Sequence, residues 1–147
     1  MQRFLFFTLL LIAGLATFNC QPYATGLQQG SARADEGAAL GNMRAIGRAQ
    51  TAYNISNPGD YGTFEQLATG GYLDERFNNS RPKFYGYVFT MSVTPKSGSR
   101  EGSYGLNADP DPAQKASGRH FYLDSNSSEI HVNGTQPASA SDGPLEP

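Results

Sequence analysis

The spacing of apolar residues changes once along this chain, and this change constrains the fold more than any other feature. In the first half, one stripe recurs at intervals of three and four residues, at Ala39, Met43, Ile46, Gln50 and Tyr53. That period is typical of one face of an α-helix. Further on, every second residue is large and apolar or aromatic, at Tyr85, Tyr87, Phe89, Met91 and Val93. Because a period of two indicates a half-buried strand, the sequence predicts a helix over about 34–54 followed by a sheet.

Local signals place a short connector between the helix and the sheet. Thr63 is a suitable N-cap for a helix over Thr63–Thr69, in which Phe64 and Leu67 are expected to turn inward. The glycine pair at 70–71 follows and predicts the end of this helix.

The C-terminal half predicts a second strand and a hairpin. The strand runs over Gly102–Ala108, and the hairpin pairs Phe121 with Val132. In that register His120 and His131 point to solvent. We therefore predict an α+β fold, in which a long N-terminal helix packs on a small antiparallel sheet of three or four strands.

An unbroken apolar run, Phe4–Phe18, follows a single positive charge at Arg3. Its length fits the core of an export signal, about 7–15 residues, better than a membrane span of about 20. We expect a signal peptide or N-terminal anchor over 1–20, a linker over 21–33, a folded head over 34–133 and a flexible tail over 134–147. The head is expected outside the cytosol, in the cell envelope, at the cell surface or extracellular, with the membrane contacted only through the N-terminus.

Two routes of N-terminal processing follow from these residues. Cys20 stands just beyond the apolar run, where a bacterial lipoprotein carries its acylated cysteine, and is the lipidation candidate. The three residues before it, 17–19, include a phenylalanine and an asparagine where small residues are usual. The small-x-small triplet at 14–16 offers a cut by a general signal peptidase instead.

Composition and motifs exclude several classes of protein. A single cysteine excludes a disulfide scaffold within the chain and a cysteine-based zinc module. Eleven basic against thirteen acidic residues leave a net charge of −2, so no nucleic-acid partner is expected. The chain has no nucleophile elbow, no zinc-protease motif and no phosphate loop, and the two histidines lack a third ligand. We therefore expect that the chain is not an enzyme.

One loop has the ligand spacing that begins a calcium loop. Asn107, Asp109 and Asp111 place three oxygen-bearing side chains at alternate positions. Pro112 stands where an EF-hand requires glycine, and Gly118 where it requires glutamate, so an EF-hand is excluded. A looser calcium site and a rigid Asp-Pro turn are the alternatives, and no other cofactor is expected.

Four N-x-S/T sequons make Asn54, Asn78, Asn126 and Asn133 candidate glycosylation sites. All four are expected in loops or at the ends of helices and strands, where a glycan is sterically allowed. Turns rich in serine and asparagine also raise the number of such triplets by chance.

Four segments, taken in order, resemble the type IV pilins and type II secretion pseudopilins. They are ADEGAALGNMRAI at 34–46, FEQLATGGYL at 64–73, YGYVFTM at 85–91, and the hairpin from Arg119 through Ile130 to Gly134. They resemble, respectively, the family's helix segment, its connector, its first strand and its final hairpin. The similarity covers about residues 34–140.

The resemblance implies a non-enzymatic structural subunit of a cell-envelope or extracellular filament. Its partners would be other copies of itself or pilin-like subunits, together with envelope assembly proteins. The N-terminus departs from the family pattern, because Phe6 stands in place of a glycine and Leu11 in place of a glutamate. Cleavage by a prepilin peptidase is a third processing route. The alternative function is a surface lipoprotein or secreted binding module with a pilin-like head.

Overall fold

A long helix and an antiparallel sheet build the computed structural model, which describes residues 21–114 and 118–146. The helices are α1 (Gln21–Ser56) and α2 (Phe64–Thr69), with single 3-10 turns at Glu75–Phe77 and Pro112–Gln114. The strands are β1 (Lys83–Phe84), β2 (Tyr87–Thr94), β3 (Ser103–Pro110), β4 (His120–Asp124) and β5 (His131–Asn133). The predicted α+β class is confirmed. The sheet of the described residues has five strands instead of three or four, because the two-residue strand β1, which was not predicted, pairs with β2.

The apolar stripe of α1 packs against the sheet as its spacing predicts. Ala39, Met43 and Ile46 are fully buried and share one cluster with the aromatic residues of the sheet. Gln50 is also fully buried, and its side-chain amide donates to the carbonyl of Gly62 at 2.7 Å and accepts from the N–H of Gly62 at 3.0 Å. This exchange satisfies a buried polar group and ties the end of α1 to the loop before α2.

The start of α1 differs from the prediction. The helix begins at Gln21, upstream of the start predicted at about residue 34, so the described part of the predicted linker at 21–33 is helical. Its glycines and glutamines give no helical stripe, yet glutamine and alanine tolerate a helix well, and a proline at position 22 is compatible with a first turn. By contacts, the described residues from 32 onward form one unit, and residues 21–31 lie outside it. None of the helices described at 21–114 and 118–146 is long and apolar enough to span a membrane.

The connector and the central strands agree with the sequence patterns. Thr63 caps α2 in a capping box with Gln66, and Gly70 ends the helix. The strands run in chain order from β1 to β5, and each pairs antiparallel with the next. Tyr85 is the exception to the predicted alternation. It lies exposed in the two-residue turn between β1 and β2, with φ of 51° beside Gly86 at 71°, the pair of positive values that a type I′ turn requires.

The hairpin register is confirmed, but the predicted exposure of the histidines is not. Phe121 pairs with Val132, as expected. His120 and His131 are only partly exposed, because each ring has a polar neighbour on that face. The Nδ1 atom of His120 lies 2.7 Å from Oδ1 of Asp109, and Nδ1 of His131 lies 2.7 Å from the carbonyl oxygen of Asp142.

The C-terminal segment 134–146, here called the strap, packs on the edge of the sheet instead of forming the flexible tail predicted for 134–147. Val132 donates its N–H to the carbonyl of Gly143 at 3.0 Å, and Leu145 donates to Ile130 at 2.7 Å. The Asp142 carboxylate accepts from Asn133 Nδ2 and from the N–H and hydroxyl of Ser139, at 2.8 to 2.9 Å. Prolines and missing periodicity exclude a helix or strand here, but they do not prevent irregular chain from being held by its own polar groups.

Replacing Phe89 with alanine should lower the free energy of unfolding by about 3–5 kcal/mol, because its ring is fully buried and its loss leaves a cavity. The matched control is Thr90→Ala on the exposed face of the same strand, which should cost about 1 kcal/mol or less. Urea denaturation followed by circular dichroism measures both. Equal costs for the two variants would contradict the packing described here.

The strap should loosen when Asp142 loses its charge. Hydrogen bonds from Asn133 and Ser139 lower the pKa of this carboxyl in the folded chain below its ordinary value. The stability that the ionised carboxylate contributes is therefore fully present above the ordinary pKa, about 4, and is lost as the pH falls through the lower pKa of the folded chain. At a fixed neutral pH, Asp142→Asn should speed hydrogen exchange at the N–H groups of Val132 and Leu145. Glu146→Gln, an exposed neighbour, is the control, and equal exchange in both variants would refute the role of Asp142.

Candidate functional site

The structure gives the three candidate calcium ligands separate partners. Asn107 donates its side-chain amide to the carbonyl of Ala138 at 2.8 Å, and Asp109 lies against His120. Asp111 accepts from the N–H of Ala113 at 3.0 Å and from Lys83 Nζ at 3.2 Å. The hydrogen bond from Ala113, followed by the contact with Lys83, holds the pKa of the Asp111 carboxyl below its ordinary value.

These contacts give each of the three side chains a structural role. Within residues 21–114 and 118–146, no group of three or more His, Cys, Asp or Glu side chains is arranged to hold a metal ion. Asn107 holds the strap through its amide nitrogen, and the carboxylates of Asp109 and Asp111 hold β4 and the chain after β3. Cys20, the lipidation candidate, lies outside the described residues.

The four candidate glycosylation sites differ in how their amides are used. Asn54 donates Nδ2 to the carbonyl of Asp60 at 3.0 Å, and Asn133 donates Nδ2 to Oδ1 of Asp142 at 2.8 Å. Asn78 and Asn126 are exposed. The amide of Asn126 lies 3.5 Å from Oδ2 of Asp124, beyond the usual range for a hydrogen bond. Only the latter two amides are therefore free to carry a glycan in the folded chain.

A side-chain cluster that the sequence did not predict joins β4 to α1. Arg119 donates its backbone N–H to Oε1 of Glu36 at 2.9 Å, and its guanidinium donates to Oε2 at 3.0 and 3.2 Å. The hydroxyl of Tyr87 donates to the carbonyl of Arg119 at 2.9 Å. Burial, followed by the nearby Glu36 carboxylate, raises the pKa of Tyr87. These contacts position the start of β4 against α1.

An open groove of about 540 Å³ lies between the C-terminal half of α1 and the β4–β5 loop. We call it the arginine groove, after Arg44 and Arg48 on its helical wall. Tyr61 and Tyr104 line it from one side, and the β4–β5 loop, residues 125–128, lines it from the other. Its volume falls within the range of about 300–1,000 Å³ that is typical of small-molecule sites.

In the described part of the chain, the positive charges of the arginine groove lack partners, whereas its negative charge has them. Arg44 and Arg48 lie one helical turn apart on the exposed face of α1, and among the described residues neither forms an ion pair or a hydrogen bond. The acidic residue of the groove, Asp124, accepts at Oδ1 from the N–H groups of Asn126 at 2.8 Å and Ser127 at 3.0 Å. Its carboxylate therefore shapes the loop, and the groove keeps an excess of positive charge.

Tyr104 brings a hydroxyl group to the same groove. The residue is only 8% exposed, and its ring packs 5.1 Å from that of Tyr61, centroid to centroid. Among the described residues the hydroxyl has no hydrogen-bond partner, and it lies beside Gly47 on the helical wall, 3.9 Å from where a Cβ on that glycine would stand. Burial, then the neighbouring Tyr61, raises the pKa of Tyr104 to about 12. The hydroxyl therefore remains protonated at neutral pH and can donate a hydrogen bond.

Sequence reasoning identified only part of this groove. The predicted apolar stripe of the helix leaves Arg44 and Arg48 outside its buried face, but neither was predicted to belong to a site. The tyrosines gave no signal, because one lies in a loop and the other in a strand that the fold brings beside it.

No family model, curated protein or solved structure matches this chain.

When the chain passes through a secretory pathway that modifies N-x-S/T sequons, folded protein should carry glycans at Asn78 and Asn126 only. At Asn54 and Asn133 a glycan would displace the hydrogen bonds described above. Glycopeptide mass spectrometry measures occupancy at each site. Ser80→Ala and Ser128→Ala should each remove one glycan, whereas a glycan on Asn133 of folded protein would contradict the prediction.

Proposed function

We propose that this chain is a non-enzymatic, pilin-like structural subunit of a cell-envelope or extracellular filament, acting through protein–protein contacts. The observation that carries the proposal is α1 itself. The helix begins at Gln21, next to the apolar run Phe4–Phe18 in the sequence, and its later part supplies the apolar stripe that packs on the sheet. The helix thus follows the proposed anchor in the sequence, and its later part supplies the core contact of the folded head.

The order of elements also supports the proposal. A helical connector, α2, follows the long helix, and an antiparallel sheet with strands in chain order follows the connector. This is the order expected from the resemblance of the four sequence segments.

Exposed apolar side chains supply candidate contacts between subunits. Leu27 on α1 is 65% exposed, and Ile55, near its C-terminal end, is 75% exposed. A leucine that becomes buried on association contributes about 1.5–3 kcal/mol. Leu27 is the better test position, because it lies closer to the apolar run that anchors subunits in the proposed filament.

Electron microscopy of material sheared from the native host should show filaments that contain this chain. Leu27→Glu should reduce filament yield at least about tenfold, because a charge replaces an apolar contact, while the melting temperature of the head stays unchanged. The matched control is Gln29→Glu, an exposed position on the same helix, which should retain assembly. A strictly monomeric protein at high concentration, with no filament in the host, would contradict the proposal.

The second candidate function is a surface lipoprotein or secreted binding module, and the arginine groove is the observation that favours it. Mass spectrometry of the mature N-terminus distinguishes the candidates. An N-methylated phenylalanine supports the filament subunit, a diacylglyceryl group on Cys20 supports the lipoprotein, and an unmodified Thr17 supports a secreted protein.

A further inference from the structure

The arginine groove holds three donor groups that the fold itself does not use. They are the guanidinium groups of Arg44 and Arg48 and the hydroxyl of Tyr104, all without partners among the described residues. Among the described residues, the fully buried side-chain atom that lacks a partner is Nδ2 of Asn42. The Tyr104 hydroxyl is therefore open to solvent in the groove, and it can donate to a ligand oxygen there.

The charge of the groove favours an anionic ligand. Two arginines stand against one carboxylate, Asp124, which is already engaged by its own loop. A carboxylate fits this charge, because its two oxygens match the fork of a guanidinium.

The remaining lining selects a hydroxyl-rich ligand. Thr51 and Asn54 on α1 line the groove together with the serines and Asn126 of the β4–β5 loop. The donors of Thr51 and Asn54 are engaged by the carbonyls of Gly47 and Asp60, so these two side chains offer acceptor oxygens, and the loop offers hydroxyl and amide groups. Tyr61, which is partly exposed, adds aromatic surface. Neutral hydrogen-bonding side chains beside aromatic rings suit the alternating polar edges and apolar faces of a sugar better than the side chains of a peptide.

We propose that the arginine groove binds a carboxylated saccharide of the hexuronate class. Arg44 and Arg48 hold the carboxylate, and the Tyr104 hydroxyl donates to a ring or hydroxyl oxygen. Polar residues of α1 and the β4–β5 loop bind the sugar hydroxyls. This binding does not require assembly, so a test of binding is independent of a test of the proposed filament.

The direct test is an NMR titration of the full chain in mild detergent with D-glucuronate. D-glucose serves as the neutral probe, and an acetylated, amidated triglutamate peptide as the acidic non-sugar probe. We expect saturable binding of glucuronate in the millimolar range, at least about tenfold tighter than glucose. The shifts should concentrate on Gly47, Tyr104 and the β4–β5 loop.

Three variants connect that binding to the groove. The double variant Arg44→Gln/Arg48→Gln should weaken glucuronate binding at least about tenfold, and Tyr104→Phe about threefold or more. Arg100→Gln removes an exposed charge outside the groove and should change binding less than about twofold. Unchanged amide spectra away from the groove show that each variant is folded.

The remaining outcomes overturn the proposal. Absence of saturable glucuronate binding excludes the ligand class, and equal binding of glucose excludes the role of the arginines. Tighter binding of the triglutamate peptide, lost in the arginine double variant, reassigns the groove to acidic peptides. Full binding by the double variant places the ligand elsewhere on the chain.

Discussion

Ala39, Met43 and Ile46 of α1 share one apolar cluster with Phe89 and Phe121 of the sheet. Each large side chain buried in this contact contributes about 1.5–3 kcal/mol. Because a helix has a fixed period, burying this stripe also determines which residues face outward. Arg44 and Arg48 are directed to the arginine groove by the same geometry that puts Met43 in the core.

Polar side chains then fix the irregular parts of the chain around that contact. Gln50 holds the loop before α2, Glu36 holds the start of β4, and Asp142 holds the strap. In each case a side chain binds backbone groups that no helix or strand satisfies. Irregular chain can be well ordered on these terms, since its polar backbone groups have partners other than water.

The sequence predicted those features that depend on a repeating period or a local cap. The stripe of α1, the cap at Thr63 and the pairing of Phe121 with Val132 all belong to this group. The sequence did not predict the strap, because the Asp142 carboxylate accepts hydrogen bonds from Asn133 and Ser139, and such isolated contacts produce no periodic pattern in the sequence. The start of α1 was missed because its glycines and glutamines also suit a linker. The groove depends on contact between Tyr61 and Tyr104, which are distant in the sequence, and a single sequence does not indicate such a contact.

The strand order has a consequence for how the chain folds. Because β1 to β5 pair strictly with their neighbours in sequence, the sheet can form from successive local hairpins with little loop-closure entropy. The stripe of α1 is different, since it is synthesised first and its partners on the sheet come last. Until β4 is made, Met43 and Ile46 lack part of their apolar surroundings. The helix is therefore the part of the head that depends most on protection between synthesis and completion of the fold.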